Sequence, residues 1–196
     1  MDNREEIMRC ALELFHARGY DAVGVQEIVN AAGVTKPTLY YYFGSKKGLL
    51  EQILKSRYKI LQGKLEEALQ EGGNIPAILN RIAGVYCDFA VENRECYLLM
   101  LALFYSGRQS EGYQAVQPII RSYYQKIISV FDHASQELGN MNGRQEQFAA
   151  GFIGTLDHFL LMQLGEVGSG KESWKEEIKE EKIYGIVHQF MYGIYS

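Results

Sequence analysis

Apolar residues recur every three or four positions along most of this chain and are interrupted by short glycine-rich breaks, so it reads as helix after helix. Arg4 to Arg18 carries Ile7, Ala11, Leu14 and Phe15 at helical spacing, and Gly19 ends the segment. Asn3 with Glu6 resembles a capping box at its start. Ser45 is the expected N-cap of a long helix from about Lys46 to Gln70, whose apolar positions include Leu49, Leu50, Ile53, Leu54, Leu61 and Leu65. Gly72-Gly73 break it, and Asn74 with Pro76 opens another helix to about Asn93. Glu95 to about Tyr105 is short and very apolar, and Gly107 to Gly112 is a polar loop. A helix from about Tyr113 to Leu138, with Pro118 near its start, ends at a break over Gly139 to Gly143. Gln145 to Leu164 follows, then a flexible loop over Gly165 to Gly170. Ser173 with Glu176 predicts a capping box for the last helix, which carries Ile183, Ile186, Val187, Phe190 and Ile194. No strand alternation and no repeat is found, so the expected fold is all-α with about nine helices.

The stretch Gly19 to Leu50 carries the densest local signals. Gln26 to Ala32 puts Ile28, Val29 and Ala32 on one helical face. Gly33 can take the left-handed backbone that stops a helix. Val34 can plug the gap between two helices that cross steeply. Thr35 can cap a second helix, and Pro37 falls in its first turn, where a missing N–H matters least. Leu39 and Phe43, four apart, face inward together, which leaves Lys36, Thr38, Tyr41 and Tyr42 outward. A short, tightly capped helix presenting Lys, Thr and Tyr suits the DNA major groove.

Charge sharpens this picture. The 196 residues carry a net charge of −4, which excludes a uniformly basic nucleic-acid binder. Residues 1–50 hold six Lys/Arg and six Asp/Glu, whereas residues 51–196 hold fourteen and eighteen, so the acidic excess lies downstream. Lys36, Lys46 and Lys47 fall between Val34 and Leu50, an interval without a carboxylate, and such a local patch serves a phosphate backbone better than net charge does. Cys10, Cys87 and Cys96 have neither disulfide-framework nor metal spacing. His16, His133, His158 and His188 show no metal spacing either, and no nucleophile elbow or Gly-rich phosphate loop occurs, so no metal, no cofactor and no enzymatic activity are expected. No signal peptide is read at the start, and the densest apolar stretch, Tyr97 to Tyr105, is too short to span a bilayer. A soluble, cytoplasmic protein is expected.

The block AAGVTKPTLYYYFGSKKGLL, Ala31 to Leu50, together with the preceding FHARGY, resembles the N-terminal DNA-binding domain of the tetracycline-repressor (TetR) family. The resemblance implies a helix-turn-helix DNA-binding domain over residues 1–47 and an effector-binding and dimerisation domain over 48–196. It places Gln26 and Glu27 at the start of the helix that crosses the DNA backbone. Thr35, Lys36, Pro37 and Thr38 become the leading end of the recognition helix, Tyr40 and Tyr41 contact phosphate or bases, and Tyr42 stands where a histidine is common. Lys46, in the first turn of the next helix, would bind phosphate, helped by the helix N-terminus. Two departures stand out. Val23-Gly24 replace the hydroxyl residue frequent before the second helix, and Gly48 stands where a glutamate would complete a capping box with Ser45.

The family resemblance also implies a ligand cavity among the downstream helices, with Tyr86, Phe89, Tyr97, Met100, Phe104, Tyr123, Phe152, His158 and Met162 as candidate lining. It implies a homodimer through a four-helix bundle built from the last two helices, for which Phe148, Phe152, Leu156, Ile183, Val187, Phe190 and Ile194 are the candidate contacts. The function expected is a ligand-responsive transcriptional regulator, a repressor by preference, that binds a palindromic double-stranded DNA operator and a small-molecule effector. A nucleoid-type DNA binder would want a more basic surface. An enzyme or carrier with a vestigial head would not need Thr35, Lys36 and Lys46 intact.

Overall fold

The computed structural model describes residues 2–135, 138, 141–164 and 178–193. Among them lie nine helices and no strand: α1 Asn3–Arg18, α2 Val25–Ala31, α3 Lys36–Phe43, α4 Lys46–Gln70, α5 Ile75–Glu92, α6 Arg94–Phe104, α7 Glu111–Ala134, α8 Gln145–Leu164 and α9 Glu180–Tyr192. The all-α expectation holds. The expected Ser173–Glu176 capping box, the Gly165–Gly170 loop and Ile194 lie outside the described residues.

Several boundaries differ for local reasons. Asp2, not Asn3, caps α1, its carboxylate accepting the Arg4 N–H at 3.2 Å, while Glu6 turns to Arg9 instead of back to the cap. Ser110 Oγ accepts the Tyr113 N–H at 3.0 Å, so α7 begins at Glu111 and Pro118 lies inside the helix. Asn74 caps α5 through the Ala77 N–H at 3.1 Å, as its sequence predicts.

The helices pack as two units. The first comprises Met1–Ile60 with Glu95–Ile120, the second Leu61–Arg94 with Arg121–Ser196, so α4 and α7 contribute to both. In the first, Ile7, Ala11 and Phe15 of α1 meet Ile28 and Val29 of α2, Leu39 and Phe43 of α3, and Leu49, Leu50, Ile53 and Leu54 of α4. Leu99, Met100 and Leu103 of α6 and Val116 and Ile119 of α7 join the same cluster. This packing division therefore runs differently from the sequence division at residues 47 and 48, because two downstream helices lend apolar area to a small N-terminal domain that has little of its own.

In the second unit α9 packs on α5 and α8, and α5 packs on α8. Leu79, Ile82, Tyr86 and Phe89 of α5, Ile127 and Phe131 of α7, Phe152, Leu156 and Leu160 of α8, and Ile183 and Val187 of α9 are buried. The Phe131 ring lies 5.9 Å from Phe148, 6.5 Å from Phe152 and 6.1 Å from Phe190. Arg81 finishes α4: its Nε donates to the Ala68 carbonyl at 3.1 Å, its other end donates to the Gly72 carbonyl, and it pairs with Glu71 at 3.4 Å. A cation on the last carbonyls of a helix offsets the negative end of its dipole.

Candidate nucleic-acid interface

The interface is built from the ends of α2, α3 and α4. Gly24 caps α2 without a side chain, so Glu27 reaches back and accepts the Gly24 N–H at 3.0 Å. Its second oxygen accepts from the Arg18 guanidinium. The Gly24 N–H first, and Arg18 second, hold the Glu27 carboxyl below its usual range. The N–H of Gly24 is therefore taken, and the N–H groups that the first turn leaves without helical partners are those of Val25 and Gln26. Gln26 is exposed, and its amide donates to Asn30 at 2.8 Å.

The turn follows the sequence closely. Gly33 takes φ +64°, its N–H donates to the Asn30 carbonyl at 3.3 Å, and the Val34 N–H donates to the Val29 carbonyl at 3.0 Å. This pair of bonds is a Schellman motif, which ends α2 and aims the chain into α3. Thr35 then caps α3, its Oγ1 accepting the Thr38 N–H at 3.4 Å and lying 2.9 Å from the Thr38 hydroxyl. Leu39 and Phe43 are buried as expected. Thr35, Lys36, Pro37, Tyr40 and Tyr41 are exposed, and Thr38 and Tyr42 are half-buried. Tyr41 is 83% exposed, and its ring meets Tyr42 edge-on with centroids 5.2 Å apart. Tyr42 packs back onto the core, 6.0 Å from the Phe43 ring.

Lys46 is placed differently from its sequence expectation. Its Nζ donates to the carbonyls of Tyr20 and Val23, both at 3.0 Å, and sits 4.1 Å from the centroid of the Tyr20 ring. The Tyr20 hydroxyl in turn donates to Glu111 at 2.7 Å. Lys46 thus ties the α1–α2 turn to the start of α4, which leaves one N–H direction of its ammonium for any anion. Lys47 donates to Gln114 at 3.1 Å. Ser45 Oγ accepts the Gly48 N–H at 2.9 Å, which confirms it as the α4 cap. The glutamate absent at position 48 has a steric reason: a Cβ there would lie 2.1 Å from the Phe43 carbonyl oxygen. No local signal in the sequence marks either the Lys46 bracket or this close approach.

The sequence profile described as "Bacterial regulatory proteins, tetR family" matches residues 7–53, which span α1 through the first turns of α4. The HTH-type transcriptional activator FasR of Mycolicibacterium smegmatis is 28% identical over 78% of this chain and 68% of its own length. Residues 7–53 thus carry a DNA-binding domain of the TetR family. The HTH-type transcriptional repressor BdcR of Escherichia coli is 26% identical over 67% of the chain and 66% of its own length. The transcriptional regulator FadR from Bacillus subtilis, solved in complex with stearoyl-CoA, shares the fold with a TM-score of 0.76 at 18% identity, covering 97% of this chain and 98% of its own. These relatives are transcriptional regulators, a non-enzymatic group. Among its described residues no helix is long and apolar enough to cross a membrane.

The candidate effector residues fall into three groups. Tyr86 and Tyr123 come together, stacked with centroids 4.9 Å apart, and the Tyr86 hydroxyl donates to Asp157 at 2.6 Å. Phe89 and Phe152 are buried in the same unit. Tyr97 is buried on α6, while Met100 and Phe104 pack in the cluster that supports α1 to α4. His158 and Met162 are exposed on the outside of α8. A groove of about 630 Å³ in the second unit is lined instead by Lys64, Glu67, Arg81, Asp88, Ile183 and Tyr184, with neighbours from α4, α5 and α9.

The candidate dimer residues are mostly interior. Phe152, Leu156, Ile183 and Val187 are buried within the protomer, and Phe148 and Phe190 are half-buried in the aromatic cluster around Phe131. The apolar stripe that the sequence shows on α8 is therefore its inward face. The outward face of α8 carries Gly154, His158 and Met162 at spacings of four, and α9 carries Tyr184, His188 and Tyr192 in the same way.

Proposed function

We propose that this chain is a ligand-responsive TetR-family repressor that binds a palindromic operator as a homodimer. The carrying observation is the exposed, carboxylate-free surface from Thr35 to Lys47, with Lys36, Pro37 and Tyr41 outward at the leading end of a capped helix. Gln26, Thr35, Lys36, Pro37, Thr38, Tyr40, Tyr41 and Tyr42 form the DNA face, and Lys46 chiefly positions it. Residues 1–47 act as the reading head and 48–196 as the sensing and pairing part. The outward stripes Gly154–His158–Met162 and Tyr184–His188–Tyr192 are the surface we assign to the second copy, since one recognition helix buries too little area for tight specific binding. For the effector, the stearoyl-CoA bound to the B. subtilis FadR makes a long acyl chain the first class to test, and the buried aromatic side chains of α5, α7 and α8 are apolar surroundings that would suit it if they part.

The test is binding of the full chain to DNA from upstream of its own gene, against unrelated DNA, with and without stearoyl-CoA. Specific binding by wild type, lost in a Lys36→Ala/Tyr41→Ala double variant and weakened by the acyl-CoA, supports the reading. Equal affinity for both DNAs would refute the regulator's operator, and equal binding by the double variant would refute the assigned face.

A further inference from the structure

Two hydrogen bonds reach from the N-terminal helices to the first turn of α7. The Tyr20 hydroxyl, in the α1–α2 turn, donates to the Glu111 carboxylate at 2.7 Å. The Lys47 ammonium, in the first turn of α4, donates to the Gln114 side-chain oxygen at 3.1 Å. Glu111 and Gln114 stand three apart, so they lie on one face of α7. Two separate points of attachment fix a rotation that a single point leaves open.

Both ends of each bond are themselves held. Tyr20 is buried, and its ring meets Phe15 edge-on with centroids 5.1 Å apart while Lys46 lies 4.1 Å over its other contacts. Burial first, and the Glu111 carboxylate second, keep its phenol protonated far above the ordinary range, so the hydroxyl is the donor. On the α7 side, Ser110 caps the helix, its Oγ accepting the Tyr113 N–H at 3.0 Å and lying 2.9 Å from Ser106 Oγ. The Gln114 amide donates to the Gln109 carbonyl at 3.4 Å, which turns its oxygen to Lys47. Between the two acceptors Gly112 is buried, and a Cβ there would lie 2.6 Å from Leu103 Cδ2 and 3.8 Å from Tyr20 Cδ1. The first turn of α7 thus approaches Tyr20 closely.

The other packing at this place is apolar, with Leu99 and Leu103 of α6 and Val116 and Ile119 of α7 in one cluster with α1 and α4. Apolar contact is non-directional and tolerates small sliding of packed helices, whereas a hydrogen bond weakens steeply off its axis. The polar pair therefore supplies the angular restraint that the cluster lacks.

We propose that Glu111 and Gln114 are positioning residues for operator recognition: through Tyr20 and Lys47 they fix the orientation of the reading head, and with it the half-site spacing that the homodimer accepts. The proposal rests on the operator-binding homodimer reading above. The two residues act on spacing and not on which bases α3 reads.

The test compares full-length wild type with a Glu111→Ala/Gln114→Ala double variant on the footprinted upstream site and on versions with one and two base pairs inserted between its half-sites. Both substitutions fall at exposed helix positions, where alanine is a good helix former, so the fold is expected to persist, as circular dichroism and the thermal midpoint will report. Each inserted base pair shifts one half-site by about 3.4 Å and turns it by roughly a tenth of a turn. Wild type is expected to lose about tenfold in affinity per inserted pair, because DNA must be twisted to restore the match, and the double variant about threefold or less. The readout is the ratio between native and lengthened sites, in which a general change in phosphate contact cancels. Glu111→Gln keeps an oxygen acceptor for Tyr20 and should keep the wild-type ratio. Undiminished spacing selectivity in the double variant overturns the proposal, as does a wild type that binds all spacings alike. A uniform loss at every spacing, with the ratio unchanged, overturns it too, since a merely structural role gives that result. If no upstream fragment is preferred over unrelated DNA, the operator reading itself falls and takes this inference with it, an outcome distinct from specific binding whose spacing selectivity survives the double variant.

Discussion

Lys46 and Gly48 show how a residue's neighbours decide its role. Lys46 spans two carbonyls and an aromatic face that come from the α1–α2 turn. Hydrogen bonds from a charged donor contribute roughly 1.5–3 kcal/mol each when partly buried. Lys46→Met is therefore expected to lower the thermal midpoint clearly, by several degrees, while the salt slope of DNA binding stays unchanged. A slope reduced by about one, with unchanged stability, would instead make Lys46 a phosphate ligand. Gly48→Ala forces a Cβ against the Phe43 carbonyl, and overpacking of this kind costs about 1–3 kcal/mol, readable by denaturant unfolding. The cysteines give a third check at this scale. Burial pushes the Cys87 and Cys96 thiols up to about 12, so near pH 8 they stay protonated. They should label with thiol reagents only after unfolding.

At the scale of elements, α2 and α3 are short and depend on their caps. Thr35→Ala removes the α3 cap and should cost about 1 kcal/mol, seen as a lower melting temperature and weaker DNA binding together. Glu27 stabilises α2 as a carboxylate, and its folded pKa lies below the ordinary 4.5. Its contribution is therefore complete above that value and fades as pH falls through the lowered folded pKa. Glu27→Gln should flatten this part of the stability profile, measured by thermal melts through the acid range. The frame of these helices was legible because its signals are local: Gly33, Thr35, Pro37 and Ser45 act within three or four residues of themselves. The Lys46 bracket to Tyr20 was not, since its partners lie 26 and 23 positions away. Nor was the packing of Met100 and Phe104 beneath the reading head, because an apolar periodicity marks which face is buried without saying against what. For the same reason Phe152 and Leu156 read as equally good interface or interior.

For the whole molecule the proposed homodimer turns on which face of α8 and α9 would meet a second copy. Phe152, Leu156, Ile183 and Val187 are already covered within the protomer, so cutting one down attacks the fold: Phe152→Ala should cost about 3–5 kcal/mol of stability. The opposite stripes behave differently. Met162, Tyr184 and Tyr192 remain 61%, 58% and 53% exposed, and the His188 ring lies 6.0 Å from Tyr184 and 4.7 Å from Tyr192. Water gains nothing from such a strip, whereas a partner helix would cover it. Gly154 sits in the middle of the α8 stripe, and a Cβ added there meets nothing within 4 Å in the protomer. Gly154→Leu should leave the monomer's fold intact and slightly favour the helix. Its bulk would hold a facing helix away. Sedimentation equilibrium should then show self-association weakened at least tenfold, on the order of 1.4 kcal/mol, with binding to a two-half-site operator falling in step while the circular dichroism spectrum is unchanged. A Gly154→Leu protein that sediments like wild type places the pairing surface elsewhere, and the spacing of its two reading heads would have to be set by another part of the chain.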